Sequence, residues 1–186
     1  MEQPDPTEEP AFPAPSRAAA LGLAAGAAAL AASQASHGWL ARIVAGADLL
    51  FHEAGHLILM PTGLRFLVVL GGTLGQLAFP LVAAAVFARR REAASLGAAL
   101  VWMGINLVDV GIYAADAQRR VLPLLAPSID AHDWWQMLGM LHLRGAADLI
   151  GGTIQAAGWA LQGAAPAWVL GLWLAGWRPG PATHAG

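Results

Sequence analysis

The sequence predicts an all-α, polytopic membrane protein with about five transmembrane helices in one bundle, and three observations support this. Of its 186 residues, 57% are hydrophobic and only 12% are charged, whereas soluble domains average about 25% charged residues. Hydrophobic runs long enough to span a bilayer recur along the chain. One of them, residues 49–60, is apolar or small around a single polar motif, whereas a soluble helix would alternate with a charged face.

Helices are expected in five hydrophobic runs: residues 18–33, 43–60, 64–88, 95–115 and 146–177. The first run is near the lower length limit for spanning, and a signal peptide is the alternative. The preceding residues 1–16 are acidic rather than basic, which favours a retained helix. Residues 134–143 suit an interfacial or re-entering helix with an aromatic belt.

The remaining composition bounds the organisation and the partners. Residues 1–16 and 179–186 are expected to be disordered tails flanking one transmembrane domain, residues 17–178. A net charge of −2 gives no indication of a nucleic-acid partner, and the lack of cysteine excludes disulfides and thiolate metal sites. All basic residues are arginine, and the wealth of alanine and glycine is typical of a bacterial protein. The predicted location is therefore multi-pass in a bacterial inner or plasma membrane.

The second predicted helix contains the motif H-E-x-x-H, formed by His52, Glu53 and His56. Residues four apart lie about 40° apart around a helix axis and about 6 Å along it, so both imidazoles leave one face. Such a pair can bind one Zn²⁺ ion between helices, and Glu53 could act as general base on a metal-bound water. The alternative is a polar patch used for helix packing.

A catalytic zinc ion needs at least one more protein ligand, and the fourth predicted helix offers candidates. Asn106, Asp109, Tyr113 and Asp116 follow at steps of three, four and three, which places them on one stripe. Matching helix depths favours Asp116 as the third ligand. Asp109 would then be a residue that packs or supports the site, bonded with Asn106.

Four further residues complete the set of candidates. His132 and Asp133, just outside the membrane, could fold back as an additional ligand or stabilise a transition state. Asp48, one turn before His52, could support an imidazole or be an interfacial residue. Gln76 could face the site, although bridging helices is the favoured role.

The stretch Phe51-His52-Glu53-Ala54-Gly55-His56, within an apolar helix, resembles the site-2 protease family of intramembrane zinc metalloproteases. The resemblance implies a third zinc ligand from an aspartate on a later helix, and cleavage of membrane-embedded or membrane-proximal segments. The family's Asn-Pro…Leu-Asp-Gly pattern is only loosely matched by residues 106–109 and 113–117, which lack the proline and the Asp-Gly pair. Residues 71–76, 113–117 and 132–134 also resemble a compact group of uncharacterised bacterial membrane proteins.

Three functions follow as hypotheses. The first is an intramembrane zinc metallopeptidase that acts on a membrane-protein substrate in the lipid bilayer, with an accessory membrane protein to select substrates. The second is a non-proteolytic membrane zinc-binding protein or pseudoprotease. The third is a small ion transporter in which carboxylates and histidines form an ion path. Transporters often contain internal repeats, and none is evident here.

Overall fold

The computed structural model describes residues 12–125 and 128–176, and within these two ranges the chain is helical and contains no strand. The termini and residues 126–127 lie outside the described residues, so most of the first predicted tail and all of the second remain predictions. Six α-helices occur, together with short 3-10 turns: α1 (Arg17–Ala35), α2 (Trp39–Leu59), α3 (Arg65–Arg89), α4 (Ala93–Ala115), α5 (Asp133–Met140) and α6 (Ala147–Gly176). Each lies within a few residues of a predicted run.

Four helices are long and apolar enough to cross a membrane: α1, α2 with the turn that follows it, α3 and α4. The helix α6 is the longest, with 30 residues, and it continues through Pro166. Its length would suit a fifth span, but α6 does not belong to the four helices that are long and apolar enough to cross a membrane. The helix α2 ends in the gap between the predicted runs 43–60 and 64–88. There Pro61 lies in a 3-10 turn and Gly63 adopts a positive φ of 65°.

The helices α2 and α3 form an antiparallel pair in which backbone meets backbone. A Cβ at Gly71 would lie 2.5 Å from the carbonyl oxygen of Gly55, and a Cβ at Gly75 would overlap the carbonyl oxygen of Phe51. Only small residues permit helices to approach this closely. This contact fixes the face of α2 that carries the two histidines against α3.

The helices α4 and α6 form a second antiparallel pair of the same kind. Gly104 of α4 faces Gly158 of α6, and Gly111 faces Gly151, with Cβ-to-carbonyl distances of 2.5 to 2.8 Å at these four positions. The helix α1 packs along this pair, and Leu23 of α1 lies against Gly97. Before α1, Phe12 packs edge-on against Trp168 with ring centroids 5.1 Å apart, so the predicted tail is partly docked on α6.

Candidate metal centre

The helix α2 presents His52 and His56 from one face, as the spacing predicts, and their ring centroids lie 4.8 Å apart. Across from them α3 contributes Gly72, and the space beside this glycine is occupied by both imidazoles. A Cβ at Gly72 would overlap Nε2 of His52 and lie 2.5 Å from Nε2 of His56. Glycine at this position therefore leaves room for the two rings.

Both histidines use their Nδ1 atoms for bonds within the protein. His56 Nδ1 lies 2.7 Å from the carbonyl oxygen of Val68, and His52 Nδ1 lies 3.4 Å from Oε1 of Gln76. Both partners are acceptors as placed, so Nδ1 of each ring carries a proton. Nε2 then has a lone pair when the ring is neutral, and it donates to the Asp133 carboxylate when the ring is protonated. An N–H donated to an oxygen in this way orients metal-binding histidines and sets their tautomer.

The third member of the group is Asp133, the first residue of α5. Its Oδ2 lies 3.0 Å from Nε2 of His52 and 3.3 Å from Nε2 of His56. One ligand atom from each residue falls within 4.8 Å of the other two, so the group could hold a metal ion. Burial raises the pKa of the Asp133 carboxyl, but hydrogen bonds with the two histidines outweigh burial and hold this pKa below its ordinary value. The carboxylate form, which binds metals, is therefore favoured.

Two nitrogens and one carboxylate oxygen are donors that suit zinc, and three protein ligands are the number found in catalytic zinc sites. Asp133 is 8% exposed and His52 is 7% exposed, so Oδ2 of Asp133 and Nε2 of His52 meet largely away from solvent. Buried polar groups of this kind are costly unless they are paired or bind a metal. The residues present fit a zinc ion.

Asp116, the favoured third ligand from sequence, lies outside this group. It is the C-cap residue directly after α4. Its two carboxylate oxygens accept the backbone N–H groups of Val121 and Leu122 at 3.1 and 3.0 Å. Its Oδ2 also lies 3.4 Å from Nε2 of His132. The structure therefore places Asp133 with the histidines, whereas Asp116 holds the loop after α4.

His132 and Tyr113 connect these two aspartates. His132 is fully buried and caps α5, because its Nδ1 accepts the N–H of Trp135 at 3.2 Å. Its ring stacks on Tyr113 with centroids 4.2 Å apart. The hydroxyl of Tyr113 accepts the N–H of Asp133 at 3.0 Å. The start of α5, and with it the Asp133 carboxylate, is thus fixed to the end of α4.

Burial lowers the pKa of His132 despite the nearby Asp116 carboxylate, so its imidazole is neutral at pH 7. Since Nδ1 accepts a hydrogen bond, the ring proton must lie on Nε2. This nitrogen lies 3.4 Å from Oδ2 of Asp116 but has no hydrogen-bond partner among the described residues. His132 therefore acts here as a cap and a stacking partner, and it has no lone pair left for a metal.

Glu53 lies beside the group on α2 and is exposed. No hydrogen bond or ion pair to Glu53 occurs within the described residues. It thus differs from the three buried or half-buried residues of the metal group and is not one of them.

The other sequence candidates lie in a separate polar cluster between α1, α2, α4 and α6. Asp48 is 1% exposed and accepts the indole N–H of Trp102 at 2.9 Å. Asn106 is fully buried, and its amide donates to the carbonyl oxygen of Trp102 at 3.1 Å. Asp48 is therefore bonded to an indole and not to an imidazole.

Gln34 of α1 completes this cluster. Its amide nitrogen donates to Asp109 Oδ1 at 2.9 Å and to the carbonyl oxygen of Ile105 at 3.0 Å. Its own oxygen accepts from the amide of Gln162 at 2.9 Å. Asp109 thus joins helices together, as expected for it if it does not bind metal, but its partner is Gln34, whereas the expected partner Asn106 donates to Trp102.

Several residues of the site went unpredicted or were given another role. Gln76 faces the site, the less favoured of its two expected roles, and through His52 it also bridges α3 and α2. The carbonyl of Val68 and the space at Gly72 carry no signal in a single sequence. Tyr113 stood on the predicted polar stripe, but no role in the site was assigned to it.

Comparison with known protein families, with curated protein sequences and with solved structures finds no match to this chain. The case for a function therefore depends on the geometry and the chemistry of the metal group.

Proposed function

We propose that this protein is an intramembrane zinc metallopeptidase, similar to site-2 proteases, that hydrolyses peptide bonds in membrane-embedded or membrane-proximal segments. The observation that carries the proposal is the group of His52, His56 and Asp133, with Glu53 beside it. Two histidines and a carboxylate from a separate element, plus a glutamate next to the first histidine, form the donor set of a hydrolytic zinc site.

In this proposal α1 to α4, and α6 as a fifth span, lie in the bilayer. The four apolar helices support this placement, as do large side chains that would face solvent in a soluble protein. On α2 alone, Leu50, Leu57 and Ile58 are 72%, 63% and 72% exposed. Lipid would cover these side chains.

Zinc, when bound, would supply a Lewis acid and a bound water of lowered pKa. His52 and His56 would hold the ion through Nε2, while Gln76 and Val68 keep the rings oriented through Nδ1. Asp133 provides the third ligand atom, and Tyr113 holds its backbone in place. Glu53 accepts the proton from the attacking water and passes it to the leaving amine.

The second candidate is a membrane zinc protein without peptidase activity. The same three ligands support it, because they bind metal whether or not hydrolysis follows. Glu53 distinguishes the two functions, since a protein that only binds zinc has no need of a base at that position. An ion transporter is less well supported, because Asp48 and Asp109 are held by bonds between helices.

Metal content gives the first test. Purified wild-type protein should hold about one zinc per chain, and His52→Ala, His56→Ala and Asp133→Ala should each lose most of it. Asp116→Ala is the matched control because it removes a carboxylate at the other end of the same contact network. If Asp116→Ala loses zinc while Asp133→Ala retains it, Asp116 is the ligand and the proposed site is wrong.

Glu53→Gln tests the function itself. Glutamine keeps the size of the side chain but removes the base, so zinc content should stay near that of the wild type. Cleavage of synthetic transmembrane peptides in proteoliposomes, followed by mass spectrometry, should fall by a factor of about 100 or more. A variant that cleaves at the wild-type rate would exclude Glu53 as the base.

A further inference from the structure

The short helix α5 has a second surface that the metal group does not use. Besides Arg120, whose guanidinium lies 4.7 Å from the centre of the Trp135 ring, two arginines from outside the helix contact it. Arg65, the first residue of α3, donates from Nε and Nη2 to Oε1 of Gln136 at 3.3 and 3.0 Å. Arg144 donates from Nε to the carbonyl oxygen of Trp135 at 3.2 Å, and its guanidinium lies 4.1 Å from the centre of the Trp135 ring.

The charges of these two arginines are not matched by acids. Two other arginines near α5 are neutralised, since Arg119 pairs with Asp148 at 2.9 Å and Arg120 pairs with Asp130 at 3.0 Å. Arg65 and Arg144 are both exposed, and across residues 12–125 and 128–176 their partners are neutral. This surface therefore keeps an excess of positive charge.

Exposed apolar side chains follow at the end of α5 and just after it. Met140, Leu141 and Leu143 are 39%, 50% and 45% exposed. Arginine, tryptophan and leucine together are typical of segments that lie in the interface between lipid and water. The position agrees, because α5 packs against the start of α3 and the end of α4, where two candidate spans terminate.

We propose that the α5 surface, formed by Arg65, Trp135, Gln136 and Arg144, is a docking site for the headgroups of anionic phospholipids. A guanidinium matches the geometry of a phosphate with parallel N–H donors and keeps its charge at any physiological pH. The leucines beyond α5 would contact the acyl chains of the same lipid. This proposal rests on the membrane placement given under the proposed function, but it does not require peptidase activity.

The docking site would also act on the metal group. Asp133 is the first residue of the same eight-residue helix whose backbone and Gln136 bind the two arginines. A lipid that holds Arg65 and Arg144 in place therefore holds α5, and with it the Asp133 carboxylate, near the histidines. Anionic lipid and zinc should then each strengthen the binding of the other by the same factor.

The lipid preference can be measured on the full chain in nanodiscs that contain spin-labelled phosphatidylglycerol or spin-labelled phosphatidylcholine. The wild type should immobilise the anionic lipid preferentially. The double variant Arg65→Gln/Arg144→Gln should lose this preference, by about fivefold for each arginine that binds a headgroup. The control is Arg42→Gln/Arg90→Gln, which removes two arginines away from α5 and should keep the wild-type preference.

Zinc affinity, measured by competition with a chelator, gives the second readout. It should be tighter in anionic than in zwitterionic nanodiscs, by up to about fivefold.

An unchanged lipid preference in the double variant would overturn the docking site. So would equal competition by free inorganic phosphate, because that result indicates a simple anion site. Equal zinc affinity in both bilayers would overturn the link to Asp133. If no bilayer supports zinc binding, the proposed function fails, whereas the lipid measurement still decides the docking site.

Discussion

The helix pairs α2–α3 and α4–α6 are built alike, yet only one of them carries the metal group. Both are antiparallel, and in both glycines bring backbone against backbone, as Gly55 and Gly71 do in one pair and Gly104 and Gly158 in the other. The difference is Gly72, whose missing side chain makes room for two imidazoles instead of a second backbone. Glycine thus serves packing in one pair, and in the other it serves both packing and the site.

Gly72→Ala should give the largest effect on metal binding. The added methyl group would overlap Nε2 of both histidines, which are the atoms that bind the metal. Zinc content should fall from about one per chain to less than about a tenth. Zinc measured on purified protein by mass spectrometry checks this expectation.

The matched control lies in the other pair. Gly104→Ala adds the same methyl group, which would lie 2.7 Å from Cγ of Gln162 and 2.8 Å from the carbonyl oxygen of Gly158. Its folded fraction should retain zinc. Equal loss of zinc in both variants would mean that general destabilisation, and not the space at Gly72, explains the result.

Alanine substitutions at two glycines of α6 should differ in the free energy of unfolding, a smaller effect than the loss of zinc expected at Gly72. Gly158→Ala forces a methyl group to 2.6 Å from the carbonyl oxygen of Gly104, whereas Gly152→Ala meets no atom within 4 Å. The first variant should lower the free energy of unfolding by about 1–3 kcal/mol. The second should raise it by up to about 1 kcal/mol, because alanine favours helix over glycine. Unfolding in mixed micelles measures both, and a destabilised Gly152→Ala would contradict the open space beside it.

The helices and the two histidines could be predicted from sequence because both depend on local patterns. The length of an apolar run and the prolines beside it determine where a helix can span, and a spacing of four places His52 and His56 on one face. These signals do not depend on how the rest of the chain folds. The helix bounds accordingly match the predicted runs closely.

The third member of the metal group could not be predicted in this way. Asp116 lies on the polar stripe of α4, but its carboxylate is occupied by N–H groups of Val121 and Leu122. Asp133 reaches the histidines because the chain after α4 turns back, and His132 and Tyr113 fix the start of α5. A path of that kind depends on contacts distant in sequence.

The smallest effect is expected at Asp109, which sharpens the contrast between the metal group and the polar cluster. Asp109→Asn keeps an oxygen that can accept the amide N–H of Gln34, now 2.9 Å from Oδ1, and it removes a carboxylate from between the helices. The free energy of unfolding should therefore change by less than about 1 kcal/mol, and zinc content should stay at the wild-type level.

Gln34→Leu is the informative partner, because it removes the bonds to Asp109, to Ile105 and from Gln162. It should cost about 1–3 kcal/mol by leaving buried polar groups unpaired, again without loss of zinc. Zinc content and unfolding in the same micelles measure both variants. If Asp109→Asn releases zinc, the carboxylate of Asp109 belongs to the metal group, and the two polar regions of this protein form one site.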